Sequence, residues 1–170
     1  MWGTAMVLSI RVARDDDLPA ITEIFNQAIQ THLSTGYLHA VTVNERTDWF
    51  HEHTKDTYPI LVADSGGTIV GWISIDPYRK GREAFVKTVE ACLFVHTDYQ
   101  RKGIGEQLLH AMMKKAKQLG YTSLFAIVLE INKRSIALLE KNHFERWGFL
   151  PGVAEIDGKH VGHVYYGKKL

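Results

Sequence analysis

The chain has 170 residues, 45% apolar and 23% charged, with a formal net charge of +1. That length suits one compact domain with a real core, and the balanced charge argues against a nucleic-acid footprint or a membrane-surface patch. No apolar run approaches the ~20 residues of a membrane span, the start lacks the basic and long apolar regions of a signal peptide, and the lone cysteine, Cys92, excludes an internal disulfide and fits a reducing cytoplasm.

Residues 1–8 are expected to be a flexible extension of a single domain spanning 1–170. Ser9 to Ala13 reads as a first strand. Asp15-Asp16-Asp17 supplies capping acids ahead of Leu18-Pro19, where proline suits a first helical turn. Leu18, Ile21, Ile24, Phe25, Ala28 and Ile29 follow at helical spacing. Thr31 to Ala40 breaks that period and reads as a loop or a short turn of helix. Thr42-x-x-Glu45 is a capping box for a second helix running to about His53. Ile60 to Ala63 and Thr68 to Ile75 flank Asp64-Ser65-Gly66-Gly67, a hairpin signal. Asp76 to Arg82 reads as a polar loop, and Phe85 to Val95 as a long strand.

Next comes Ile104 to Leu119, an amphipathic helix stopped by Gly120. Ser123 to Leu129 is a buried strand, and Asn132 to about Lys141 a short helix. Trp147-Gly148-Phe149, and His160 to Lys168 after the Asp157-Gly158 turn, read as two final strands. The order β-α-α-β-β-β-α-β-α-β-β implies a mixed α/β sheet with helices on its faces, a meander first and βαβ units after.

The run Tyr99-Gln100-Arg101-Lys102-Gly103-Ile104-Gly105 joins an apolar strand to that long helix. The first N–H groups of a helix lack intrahelical partners and carry partial positive charge. Glycines let a pyrophosphate approach them, and Arg101 and Lys102 add full charges. The spacing fits neither the Walker loop nor the dinucleotide-binding Gly-x-Gly-x-x-Gly.

Gln100-x-x-Gly103-x-Gly105 does resemble the coenzyme A pyrophosphate loop of the GNAT superfamily of N-acetyltransferases, and the likeness runs from about Ile10 to the C-terminus. Thr88-Val89-Glu90 resembles a motif of the phosphinothricin and methionine sulfoximine acetyltransferase group, as does Tyr78-Arg79-x-x-Arg82-x-Ala84-Phe85, with one extra residue between its arginines. The resemblance implies the GNAT fold, a central, mostly antiparallel mixed sheet flanked by helices. It implies acetyl-CoA as co-substrate, no metal, and a homodimer. The coenzyme would be held by Arg101, Lys102, Gly103, Ile104, Gly105 and Glu106 at its pyrophosphate. Asn132 and Ser135 would contact its pantetheine arm, and Leu93, Phe94 and Val95 would line its strand, with a backbone N–H near Leu93 or Phe94 as an oxyanion contact.

Glu90 is the candidate general base, since a carboxylate at the edge of an apolar cleft gains proton affinity. Arg79 and Arg82 are candidates for pairing with an acceptor carboxylate. Tyr165 or Tyr166 is a candidate proton donor to the leaving thiolate, and His163 borders the same region. The nine histidines form no metal signature: His51-Glu52-His53 is not His-Glu-x-x-His, and positions two apart do not share a helix face. Cys92 reads as a small buried hydrophobe. Two segments depart from the group, Ser34-Thr35-Gly36-Tyr37-Leu38 and Glu140 to Phe149, and both shape the acceptor pocket in that family. The implied reaction is acetyl transfer to the primary amine of a small molecule, an amino acid or an analogue. The alternatives are another amine (a protein N-terminus, a polyamine, an antibiotic) or a non-catalytic acyl-CoA sensor, for which a base at position 90 has no use.

Overall fold

A computed structural model describes residues 7–170 as one seven-stranded sheet with four α-helices. In chain order these are β1 (Leu8–Val12), α1 (Leu18–Gln30), α2 (Val43–Glu52), β2 (Ile60–Ser65), β3 (Thr68–Pro77), β4 (Thr88–Val95), α3 (Ile104–Gln118), β5 (Ser123–Leu129), α4 (Lys133–Lys141), β6 (Glu145–Ile156) and β7 (Lys159–Lys169). Of the expected extension over 1–8, residues 1–6 lie outside the described residues. Leu8 is already in the sheet, opposite Ser65.

Across the sheet the strands run β1-β2-β3-β4-β5-β7-β6. Every neighbouring pair is antiparallel except β4 and β5. Strand alternation sends Leu61, Ile73, Val89 and Leu124 to one face, where they meet Ile104, Leu108 and Met112 of α3. Val62 and Trp72 point to the other face and meet Ile21 and Phe25 of α1 and Phe50 of α2. Each fully buried side chain of this kind contributes ~1.5–3 kcal/mol, so both faces are fixed independently of the cleft between β4 and β5.

Local chemistry explains the boundaries. Thr42 and Glu45 form the expected capping box: Glu45 N–H donates to Thr42 Oγ1 at 3.2 Å, and Thr42 N–H to Glu45 Oε2 at 2.7 Å. The Asp15–Asp17 run differs from expectation. It is a short 3-10 turn, and the Asp17 side chain does not cap α1. Asp17 instead accepts from both terminal nitrogens of Arg11, at 2.7 and 2.9 Å, tying β1 to the start of the helix. Burial raises its proton affinity, but Arg11 and the Arg14 N–H outweigh this and hold the carboxyl below the usual range.

β3 continues through Asp76 and Pro77, residues expected in a loop, and β4 starts only at Thr88. Glu83–Phe85 is a 3-10 turn, and Val86 N–H bonds back to Glu83 O at 3.2 Å, which keeps Phe85 and Val86 out of the ladder. The last strand pair is longer than expected. Trp147-Gly148-Phe149 is only part of the first half of β6, which carries register shifts at Arg146/Gly148 and Leu150/Ala154. His143, at φ 61, turns the chain from α4 into β6 and delivers Phe144 to the core.

Candidate active site

β4 and β5 pair over only three positions, Thr88↔Ser123, Val89↔Leu124 and Glu90↔Phe125. Beyond them β4 stays with β3 and β5 with β7, so the sheet splits. The gap opens into a cleft of about 640 Å3. Backbone groups alternate sides along a strand. His96 N–H donates to Val70 O of the β3 side, so Phe94, Cys92 and Glu90 also direct their backbone groups toward β3. Ala91, Leu93 and Val95 direct theirs toward β5, and beyond the last paired position, Glu90↔Phe125, those of Leu93 and Val95 face the gap. The Val95 carbonyl is taken by Gln100 Nε2 at 3.3 Å. Of the two oxyanion candidates, Leu93 therefore has the N–H that faces the cleft, and Phe94 does not.

At one end of the gap α3 begins. Gly103 is its N-cap residue at φ 76 and provides no side-chain cap. Gln107 is the first helical residue to bond inward, to Gly103 O at 3.1 Å. The N–H groups of Ile104, Gly105 and Glu106 precede it and have no acceptor within the helix. Arg101 also lies at positive φ, 61°, so the whole turn curls toward the cleft. A Cβ on Gly105 would meet Leu138, Val95 and Leu93 at 3.5–3.8 Å, so this glycine marks where α3, α4 and β4 close up. Free amides, a left-handed glycine and Arg101 make a cradle suited to the coenzyme's pyrophosphate.

Glu90 sits at the neck where the strands part. Burial, and next the charge of Asp76, push its carboxyl up to about 7. Asp76 lies directly across the β3–β4 ladder from it. Behind Asp76 stands His53 of the α2 C-terminus, its Nε2 3.1 Å from Asp76 Oδ1 and its Nδ1 2.7 Å from the Trp49 carbonyl. Arg46, also on α2, stacks 3.5 Å from the Trp49 ring centroid and is 8% exposed. Its Nε and Nη2 are buried without a hydrogen-bond partner.

The remaining expected residues fall into groups. Leu93, Phe94, Val95, Arg101, Gly103, Ile104, Gly105, Glu106, Asn132 and Ser135 all line the cleft. Asn132 Oδ1 is committed to capping α4, accepting from Ser135 N–H at 3.1 Å. Glu106 forms an ion pair with Lys141 at 2.7 Å, which holds its carboxyl below the usual range. Lys102 does not line the cleft: its Nζ donates to Asp98 O at 3.1 Å and lies over the Tyr99 ring.

Arg79 and Arg82 are exposed in the loop between β3 and β4, outside the cleft wall, and form no ion pair among the described residues. The tyrosines separate: Tyr166 is in the core with its hydroxyl donating to Glu140 at 2.7 Å, and Tyr165 stacks on Phe125. Neither lines the cleft, whereas His163 does. The Cys92 thiol is pushed up to about 12, chiefly by burial and then by Glu90 and Asp76, so it is inert as a nucleophile. Among the described residues no cluster of three or more metal-ligating side chains occurs. Sequence reasoning missed Arg134, which lines the cleft and hydrogen-bonds Gln100. It also missed Asp76 and His53. Arg134 stood between the two residues that were named, Asn132 and Ser135; for the other two no local signal exists.

A sheet split at its one parallel junction, with a helix N-terminus at one end and a buried carboxylate at the neck, defines an acyl-CoA-dependent transferase. Residues 19–144 match the acetyltransferase (GNAT) family, and this chain belongs to it. YwnH of Bacillus subtilis is 36% identical over 163 residues, covering 96% of this chain and 99% of that protein. The L-methionine sulfoximine/L-methionine sulfone acetyltransferase of Pseudomonas paraeruginosa is 35% identical over 155 residues, 91% of this chain and 90% of that protein. The crystal structure of a GNAT superfamily phosphinothricin acetyltransferase from Sinorhizobium meliloti in complex with AcCoA aligns with a TM-score of 0.90 at 26% identity, covering 97% of this chain and 89% of that one. The protein is an N-acetyltransferase, and acetyl-CoA is its co-substrate.

Proposed function

We propose that the acceptor is the α-amine of a free amino acid or an analogue of the methionine sulfoximine and phosphinothricin type, with Glu90 as the base. The observation that carries this reading is the position of Glu90: a carboxyl at about 7, in the cleft, at the neck of the strand split. Proton affinity close to neutral suits transfer from an ammonium near physiological pH. An acyl-CoA sensor needs no such group.

Acetyl-CoA supplies the acetyl group as a thioester. Arg101 and the amides of 104–106 hold the phosphate end, Asn132 and Ser135 line the wall beyond it, and the Leu93 N–H faces the position of the thioester oxygen. Glu90 removes the amine's proton, the C–N bond forms as the thioester C–S bond breaks, and the CoA thiolate leaves and takes up a proton from Glu90 or solvent. Arg79 and Arg82 receive the acceptor carboxylate. Their loop begins at Tyr78, which packs edge-on against Phe125, the β5 partner of Glu90, with ring centroids 4.9 Å apart. The enzyme acts as a homodimer in the cytoplasm. The exposed Trp147, Phe149, Leu150 and Val153 of β6 provide the apolar surface for a second copy, and no helix among the described residues is long and apolar enough to cross a membrane.

A thiol-release assay with acetyl-CoA tests the acceptor. The panel holds L-methionine sulfoximine, phosphinothricin, L-methionine, its decarboxylated amine, spermidine and a short peptide. The amino acids should turn over and the decarboxylated amine should not. Arg82→Ala should raise KM for the amino acid by roughly 10- to 150-fold, the loss of one charge-assisted hydrogen bond of ~1.5–3 kcal/mol, and leave KM for acetyl-CoA unchanged. Equal rates with and without the carboxylate would overturn the assignment.

A further inference from the structure

Among the described residues the fold buries two fully charged side chains, Asp17 and Arg46. Asp17 is paired with Arg11. Arg46 has no ion pair, and its Nε and Nη2 have no hydrogen-bond partner among those residues. Trp49 takes the face of the guanidinium at 3.5 Å, and the Phe25 centroid lies 4.6 Å away. Stacking of this kind occupies the flat face and leaves the in-plane N–H donors unspent. Burying a cation on these terms is costly, and orphaned buried donors call for an explanation. Burial accordingly holds the proton affinity of Arg46 below the arginine norm, although a guanidinium keeps its charge at any working pH.

The guanidinium lies behind the acceptor side of the cleft. Glu90, Cys92 and Phe94 project from one face of β4, the face that α1 and α2 cover. Cys92 and Phe94 line the cleft and also pack against the cluster of Phe25 and Trp72, whose rings flank Arg46. Arg46 is within electrostatic reach of Cys92 and Asp76, but Asp76 turns its Oδ1 to His53 Nε2 at 3.1 Å. Tyr37, half-exposed and edge-on to Phe25 at 5.1 Å, closes the aromatic box beside Gly36, which lines the cleft. From Glu90 to Cys92 is two strand positions, about 7 Å. That span is comparable to the reach from an amino acid's α-nitrogen to oxygens carried on its δ atom.

We propose that Arg46 is a specificity-determining residue: its free donors take the side-chain oxygens of the acceptor, an amino acid bearing a sulfone, sulfoximine or phosphinate at its δ position. The inference rests on the reading of the acceptor as an amino acid. With the amine at Glu90 and the α-carboxylate at Arg79 and Arg82, the acceptor's side chain runs past Cys92 and Phe94 toward Arg46. The aromatic box then packs the terminal methyl, and the guanidinium binds the oxygens beside it. Methionine offers the same length and the same methyl, but its thioether is a weak acceptor and leaves the buried donors orphaned. A site built around buried polar groups rejects the analogue that leaves them unpaired. Arg46 does not touch the atoms that react.

Turnover of L-methionine sulfone and of L-methionine is compared at saturating acetyl-CoA, in wild type and in Arg46→Met. Wild type should favour the sulfone in kcat/KM by at least about tenfold, the scale of one charge-assisted hydrogen bond. Arg46→Met should bring that ratio close to unity, with the loss carried by KM for the sulfone. An Arg46 that only clips α2 to α1 would slow both acceptors alike; a ratio left standing in the variant therefore overturns the proposal. If the variant does not fold, wild type decides. Protein labelled with 15N at arginine, with CoA bound, is titrated with each amino acid, and contacts with the Trp49 ring protons identify the Arg46 Nε–H signal. The sulfone should move that signal and L-methionine should not. A signal unmoved at sulfone concentrations that saturate turnover overturns the site. Turnover of both amino acids with an unchanged ratio removes Arg46 alone, whereas turnover of neither removes the amino-acid reading and this site with it.

Discussion

Removing the charge of Glu90 should make the protein more stable and less active, and the two effects should separate by pH. An ordinary glutamate in the unfolded chain loses its proton near 4.5, whereas burial and Asp76 hold the folded carboxyl at about 7. Between those values the folded state binds the proton and the unfolded state does not. Stability therefore falls as pH rises through this window, and the full cost is present above about 7. At 1.36 kcal/mol per decade of proton affinity, the gap corresponds to about 3 kcal/mol.

Glu90→Gln keeps the shape and removes the ionisation. Its melting temperature at pH 8 should rise by roughly 6–12 °C, given ~2–4 °C per kcal/mol for a chain of this size. At pH 4.5, where the folded carboxyl is protonated and the unfolded one half so, it should come close to wild type. Turnover should fall on the order of 10²-fold or more, the scale of general base catalysis, with coenzyme affinity retained. Differential scanning calorimetry at both pH values, with calorimetric titration of acetyl-CoA, checks each part. An equal change in melting temperature at pH 4.5 and pH 8 would refute the buried-charge argument, and wild-type rates across pH 6 to 9 would remove Glu90 from the chemistry.

Two further outcomes follow from glycines. Gly103→Glu puts a competing carboxylate at the free amides of α3, in a left-handed conformation that costs ~1–2 kcal/mol for a side-chain-bearing residue. Acetyl-CoA affinity by calorimetry should drop at least about tenfold, the loss of one charge-assisted contact; undiminished affinity would show that the phosphates bind elsewhere. Gly167→Val places a Cβ where the Trp147 ring lies, so it should destabilise by ~1–3 kcal/mol, as overpacking does. In the background Trp147→Ala that penalty should disappear, and additive values in denaturant melts would mean the ring is not the obstacle.

What could be read from the residues is what local rules determine. The 3.6-residue period of α1 and α3, the Thr42–Glu45 box and the glycine turn before α3 each depend on neighbours within a few positions, and each is where the pattern places it. The β4 start was misplaced because Phe85 and Val86 look like strand residues. A turn closed by Glu83 and Val86 overrides their propensity, leaving both exposed. The pairing of Asp76 with Glu90 depends on register between strands, and the approach of His53 on how α2 packs over β3. Neither leaves a trace in one-dimensional spacing. Sequence reasoning could nominate Leu93 or Phe94 for an N–H contact, but only the hydrogen bond from His96 to Val70 fixes which of them faces the gap.

The split between β4 and β5 sets durability against usefulness. Zipped further, the two strands would gain backbone hydrogen bonds of about 1 kcal/mol each. The fold forgoes them from the Ala91 carbonyl onward, above all at Leu93, whose inner edge faces the cleft. A screen for heat-resistant variants in the absence of coenzyme would therefore favour substitutions that draw β5 toward β4, and each such success would seal the slot the reaction needs. Sturdier versions of this enzyme have to be sought in the two helical faces and the outer hairpin, with the neck at Glu90 and Phe125 left as it is.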